Sequence, residues 1–161
     1  MYFIDTNIFL RYLMNDNPHS FEDTYNLLSL LQEKKIETYY SLTVVSELAY
    51  VLIKYYKVEK EIVVYYINSL FVNYRKLDEY NLSLAMKLYN ENNVKYGDAI
   101  ISSNSEIQAG RVTIVSYDRD FDKLGVIRKE PRQVIKEIND KTHKSQTLKP
   151  EAYSPLAKNF K

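Results

Sequence analysis

Apolar positions recur along this chain at two different spacings, and the alternation between them predicts short buried strands separated by amphipathic helices. Tyr2–Ile4 is a short apolar run bounded by turn formers and predicts a buried strand. Ile8–Met14 predicts a short helix stopped by Asn15-Asp16-Asn17-Pro18. Phe21, Leu27, Leu28 and Leu31 mark a second helix, from about His19 to Lys34. Ile36–Leu42, with Tyr39 and Tyr40, predicts a second strand. Thr43 is placed to cap a third helix with the apolar face Val44, Val45, Leu48, Leu52 and Ile53. Lys60–Phe71 predicts a fourth helix, Tyr74–Leu77 a strand, and Leu82–Tyr89 lies in a fifth helix. Asp98–Gln108 predicts a sixth helix closed by Gly110. Val112–Val115 is a buried strand, Val126–Arg128 a short edge strand, and Val134–Ile138 a last helical turn or two.

Strands alternating with helices predict an α/β domain, three layers deep, around a mainly parallel sheet. In such sheets ligands sit beyond the carboxyl ends of the strands. Asp5 and Asp118 both follow predicted strands, so the topology alone points them toward one site. The domain is expected to span residues 1–138. Residues 139–161, with two prolines and scattered lysines, are expected to be a poorly ordered basic tail.

Composition narrows the chemistry. At 161 residues the chain is long enough for one domain with a real core. There are no cysteines, which excludes disulfides and thiolate metal sites. With His19 and His143 alone, a histidine-rich zinc site is not expected, so any metal must be held by oxygen. No apolar run is long enough to span a membrane, and the N-terminus enters a strand without a basic and apolar leader. A cytoplasmic location is expected. Residues 1–130 carry 15 Lys/Arg against 18 Asp/Glu, whereas residues 131–161 carry 7 against 3, an acidic body with a basic tail. The 16 tyrosines, with no tryptophan, serve more simply as amphipathic core and surface filler than as base-stacking platforms.

Four segments place carboxylates at or near element ends: Ile4-Asp5-Thr6-Asn7, Ser46-Glu47-Leu48, Gly97-Asp98-Ala99-Ile100 and Ser116-Tyr117-Asp118-Arg119-Asp120-Phe121. Each acid has an ordinary structural role open to it. Asp5 suits an N-cap, although Thr6 or Asn7 could cap instead and leave it free. Glu47 suits the dipole of an early helical turn. Asp98 suits a helix start, and one acid of Asp118, Asp120 and Asp122 suits a turn cap. Gathered in one pocket, however, they would raise one another's pKa, and a divalent cation with oxygen ligands is the usual compensation.

In kind, order and spacing these segments resemble the PIN-domain ribonucleases, closest to the VapC-type toxins of VapBC toxin–antitoxin pairs, over about residues 2–130. The resemblance implies an acidic quartet of Asp5, Glu47, Asp98 and Asp118, with Asp120 as a substitute or partner for Asp118. Asp5 and Asp98 are assigned as direct metal ligands, with Glu47 and Asp118 completing the shell through water or a second ion. Thr6 and Ser116 fall where the family places hydroxyls that orient carboxylates or water. The implied activity is endoribonucleolytic hydrolysis dependent on one or two Mg²⁺ or Mn²⁺ ions, leaving 5′-phosphate and 3′-hydroxyl ends. Arg11, Arg119 and Lys123 are candidates for RNA phosphate contacts. A homodimer is expected, because the helices at 19–34 and 44–56 carry more Leu, Val and Tyr than one small sheet needs. A small antitoxin placing an arginine in the acidic pocket is the implied inhibitor.

Three other readings compete: a PIN-like scaffold that binds RNA or protein without cutting, an RNA-processing nuclease outside a toxin–antitoxin pair, and a flap-type DNA nuclease. The intact acid set argues against the scaffold, and the flap type usually needs a longer chain with a clamp.

Overall fold

β1 (Tyr2–Ile4) lies at the centre of the sheet, and all three of its residues are buried. On one side it pairs with β2 (Thr38–Tyr40), Tyr2 opposite Thr38. On the other it pairs with β4 (Thr113–Val115), Ile4 opposite Val115. β3 (Arg75–Lys76) and β5 (Arg128–Lys129) are the edges, giving the order β3-β2-β1-β4-β5 with every pairing parallel. The computed structural model describes residues 1–147, with side chains through Lys141.

The connections are helical, as parallel strands require. α1 (Thr6–Met14) and α2 (Pro18–Glu33) join β1 to β2. α3 (Leu42–Lys54) and α4 (Lys60–Leu70) join β2 to β3. α5 (Leu82–Glu91), α6 (Tyr96–Ser102) and α7 (Ser105–Gln108) return the chain to β4. α8 (Pro131–Thr147) follows β5 and packs on α2. Right-handed crossovers that step one way along the sheet and then back put α1–α4 on one face and α5–α7 on the other. This is the three-layer α/β/α arrangement that the pattern predicts.

Several boundaries differ from expectation, and four of the differences bear on the site or the end of the domain. α3 is capped by Ser41, whose hydroxyl accepts from the Val44 N–H at 3.3 Å, so Thr43 lies inside the helix. Val44, Leu48 and Leu52 are buried at a four-residue period, while Ile53 turns outward. The predicted sixth helix is two helices. Asn104 accepts from the N–H groups of Glu106 and Ile107 and starts α7 anew, a local bond that competes with helix continuation. β5 begins at Arg128, and the loop before it holds a 3₁₀ helix over Arg119–Leu124 ended by Gly125 at φ +69°. Finally, α8 runs across the boundary expected at residue 138. Val134 and Ile138, one turn apart, anchor it in the core. The expected tail is therefore helical through Thr147, and residues 148–161 lie outside the described residues. Among the described residues no helix is long and apolar enough to cross a membrane.

Candidate active site

The carboxyl ends of β1 and β4 are adjacent, which sets Asp5 beside Ser116. The Asp5 N–H donates to the Val115 carbonyl, extending the ladder one residue past the strand. Asp5 is 4% exposed and is itself the N-cap of α1, through Oδ1 accepting from the Thr6 N–H at 2.7 Å. Its Oδ2 accepts from the Ser116 hydroxyl at 2.6 Å and from the Asn7 side-chain amide. Asn7 also donates to Ser116 Oγ at 2.8 Å and accepts from the Tyr117 N–H. Asn7 therefore staples the ends of two strands rather than capping a helix. Thr6 is released from capping too: its hydroxyl donates to Glu47 Oε2 at 2.7 Å.

Ser116 Oγ passes the connection on by accepting from the Asp118 N–H at 2.9 Å. Asp118 caps the 3₁₀ helix, Oδ1 accepting from the Asp120 N–H at 3.0 Å, while Oδ2 accepts from Lys95 Nζ at 2.8 Å. Asp120 Oδ1 accepts from Lys123 at 2.6 Å. Asp122, the next acid of the run, bonds Arg128 instead.

Asp98, in the first turn of α6, is 5% exposed, and its Oδ2 has no hydrogen-bond partner. One carboxylate oxygen each from Asp98, Asp118 and Asp120 lie within 4.8 Å of one another, the one group of this kind among the described residues. Three oxygens around a bare buried carboxylate are the donor set of a hard divalent cation, so the residues present fit one.

The electrostatics show strain in the protein alone. Burial pushes the Asp5 carboxyl up from 3.8 to about 6 against the bonds from Ser116 and Thr6, and the charges of Glu47 and Asp118 add to the rise. Burial also pushes Asp98 up, to about 7, assisted by Asp5, Asp118 and Glu47 and opposed by Lys95. For Asp118 the cost of burial is outweighed by the bonds from Lys95 and the Asp120 N–H, and its carboxyl is held below the usual range. The other three acids of the expected quartet, Asp5, Glu47 and Asp118, are thus within electrostatic reach of Asp98.

Asp118 and Asp120 stand together beside Asp98, the shared arrangement that the sequence left open beside substitution. Asp5, expected from the sequence to be a direct ligand with Asp98, instead spends its oxygens on three donors and stands outside the three-oxygen group. Of the cations expected near RNA, Arg11 pairs with Asp16 at 2.6 Å, Lys123 with Asp120, and Arg119 is exposed on the 3₁₀ helix. Lys95 is a further cation of the site, beyond those expected. A lysine at a helix N-terminus opposes the dipole and calls for a nearby acid, and that signal was in the sequence. An open pocket of about 620 Å³ flanks the cluster, walled by Leu42 and Tyr50 and reaching Glu47, Lys95 and Asp98.

A family model described as the PIN domain matches residues 2–127. No curated protein matches the chain. Among solved structures the chain is similar to VapBC2 from Rickettsia felis bound to a DNA fragment from its promoter, with 22% identity, a TM-score of 0.60, and coverage of 80% of this chain and 97% of that one. It is also similar to FitAcB from Neisseria gonorrhoeae, with 17% identity, a TM-score of 0.60, and coverage of 82% and 99%. At these identities the likeness is one of fold.

Proposed function

The chain belongs to the PIN-domain family, and on that premise we propose that it is a Mg²⁺- or Mn²⁺-dependent endoribonuclease acting as the toxin of a toxin–antitoxin pair in the cytoplasm. The observation that carries this reading is the convergence of carboxylate oxygens from Asp98, Asp118 and Asp120, together with a buried Asp98 Oδ2 that has no hydrogen-bond partner. A scaffold that only binds has no use for buried acids that raise one another's pKa.

In this reading Asp98, Asp118 and Asp120 hold the cation, and Asp5 and Glu47 add negative charge beside it for a second ion or a bound water. A bound divalent ion would activate the attacking water, neutralise the phosphate and stabilise the leaving oxygen. The chain's own residues supply position. Thr6 fixes Glu47, while Ser116 and Asn7 fix Asp5, so the carboxylates are aimed before any ligand arrives. Leu42 and Tyr50 offer the flanking pocket an apolar wall against which an unpaired base can rest. Arg119 is placed to meet backbone phosphates from the exposed side. The toxin assignment draws on the resemblance of the motifs to VapC-type proteins and on the fold shared with VapBC2. A small antitoxin and a homodimer come with that assignment.

The test is cleavage of a structured RNA with Mn²⁺ or Mg²⁺, beside excess EDTA, Asp98→Asn and Asp5→Asn. Activity should vanish with EDTA and drop at least ~100-fold in both variants. Undiminished cutting in either variant would overturn the assignment of the site. A preference for flap DNA over RNA would overturn the substrate class.

A further inference from the structure

Lys95 holds the oxygen of Asp118 that is not used in capping. Asp118 Oδ1 is committed to the Asp120 N–H as the cap of the 3₁₀ helix. Its other oxygen, Oδ2, is the acceptor of Lys95 Nζ at 2.8 Å. A divalent ion bound through Oδ2 would share that atom with an ammonium, two positive charges a few ångströms apart, unless the lysine left. Asp118 is the one group that Lys95 Nζ bonds among the described residues, with Asp98 and Glu47 attracting it through space. The backbone of Lys95 is fixed at the start of α6, but its side chain is 63% exposed and ends a flexible stem at the rim of the flanking pocket. Lys123 differs in being held twice, by Asp120 and by the Asn93 carbonyl at 3.3 Å.

We propose that Lys95 is an exchangeable counter-ion: it neutralises Asp118 before a cation binds and, once displaced, grips a phosphate of the nucleic acid at the pocket mouth. This rests on the reading of the cluster as a cation site. The exchange keeps the charge of the cluster nearly balanced in both states. It also couples the two ligands, because a bound cation frees the side chain that a phosphate needs.

The experiment uses the full chain and its Lys95→Gln and Lys95→Arg variants, with thermal melts showing that all three fold. Mn²⁺ affinity is read without RNA from the electron paramagnetic resonance of the free ion. RNA affinity is read with Ca²⁺ as the cation, over a range of salt. Lys95→Gln should bind Mn²⁺ about fivefold more tightly, since the competing ion pair is worth a factor of that size at an exposed position. It should bind single-stranded RNA more weakly, with a salt slope smaller by about 0.7, the loss of one phosphate contact. Lys95→Arg should keep the salt slope and bind Mn²⁺ no more tightly than the wild type. Unchanged or weaker Mn²⁺ binding by Lys95→Gln, or an unchanged salt slope, would overturn the proposal and leave the cation site standing. If the wild type binds no Mn²⁺, the cation site itself fails and the proposal falls with it.

Discussion

The hydroxyl of Thr6 and the carboxylate of Glu47 meet at 2.7 Å although 41 residues separate them. The bond ties the first turn of α1 to the second turn of α3, and Thr6 is 3% exposed. It is the link that holds Glu47 toward the acids of the neighbouring strand ends. Thr6→Val keeps the shape and removes the donor, so it should cost about 1–2 kcal/mol of stability and lower cleavage about tenfold. Thr6→Ser should restore most of both. A Thr6→Val protein with wild-type cleavage would mean that Glu47 needs no positioning.

Asp98 should destabilise the cation-free protein at neutral pH. Its carboxyl is raised from 3.8 to about 7 and that of Asp5 to about 6. Between those limits the folded state holds more protons than the unfolded chain, so stability falls as pH rises through about 4 to 7 and stays low above. Asp98→Asn removes the charge without changing the shape. In EDTA at pH 8 the variant should melt about 5 °C higher than the wild type, for roughly 2 kcal/mol relieved. The gap should narrow as pH falls below 7 and close near pH 4, and a lower melting point for the variant at pH 8 would contradict the strain argument.

Cation binding should reverse that cost. At a Mn²⁺ concentration ~100 times its dissociation constant, the folded state gains about 2.7 kcal/mol. The wild type should therefore melt several degrees higher with Mn²⁺ than in EDTA, and Asp98→Asn should not respond. The effect should fade below about pH 6, where the proton competes for Asp98. An equal response of both proteins would place the ion elsewhere.

Ser116 joins more of the site than any single acid does. Its hydroxyl donates to Asp5 and accepts from Asn7 and from the Asp118 N–H, and the residue is fully buried. Ser116→Ala leaves two donors unmatched and one carboxylate loosened. It should cost about 2–3 kcal/mol and reduce cleavage more than Thr6→Val does. Calorimetric melts beside initial rates decide the order.

The self-association and antitoxin proposals share one preparation. Tyr50 on α3, Tyr55 at its C-cap, and Val64 and Tyr65 on α4 are at least half exposed, apolar side chains that a second copy would cover. Sedimentation at tens of micromolar should show a dimer. Co-expression with the adjacent small gene should yield a complex with suppressed cleavage. Monomer alone would remove the dimer, and failure of any such protein to bind would remove the toxin assignment while leaving the nuclease.

The order of elements was legible in the sequence because local physics sets it. Tyr2–Ile4 and Thr113–Val115 are too apolar and too short to be anything but buried strands. Val44, Leu48 and Leu52 repeat at the helical period, and Gly110 closes its helix with a positive φ, as its position promised. Asp5, Glu47, Asp98 and Asp118 were legible as candidates for the same reason: each sits at or near a strand or helix end. Caps were less legible, since Ser41, Thr43 and Asn104 are all competent capping residues. Which of them starts a helix depends on small differences in backbone path.

What the tertiary structure decided is which groups meet. That β1 lies between β2 and β4 brings Asp5 to Ser116, 111 residues away, and no local pattern carries that pairing. The same packing seats Lys95 on Asp118 and buries Asp98 with one oxygen bare. The sequence determined which residues bear charge and in what order the strands and helices follow. Only the fold could decide which of those charges lose their water, and therefore which share protons, cations and function. Desolvation and Coulomb energy depend on distance and burial in space, and neither is encoded by distance along the chain.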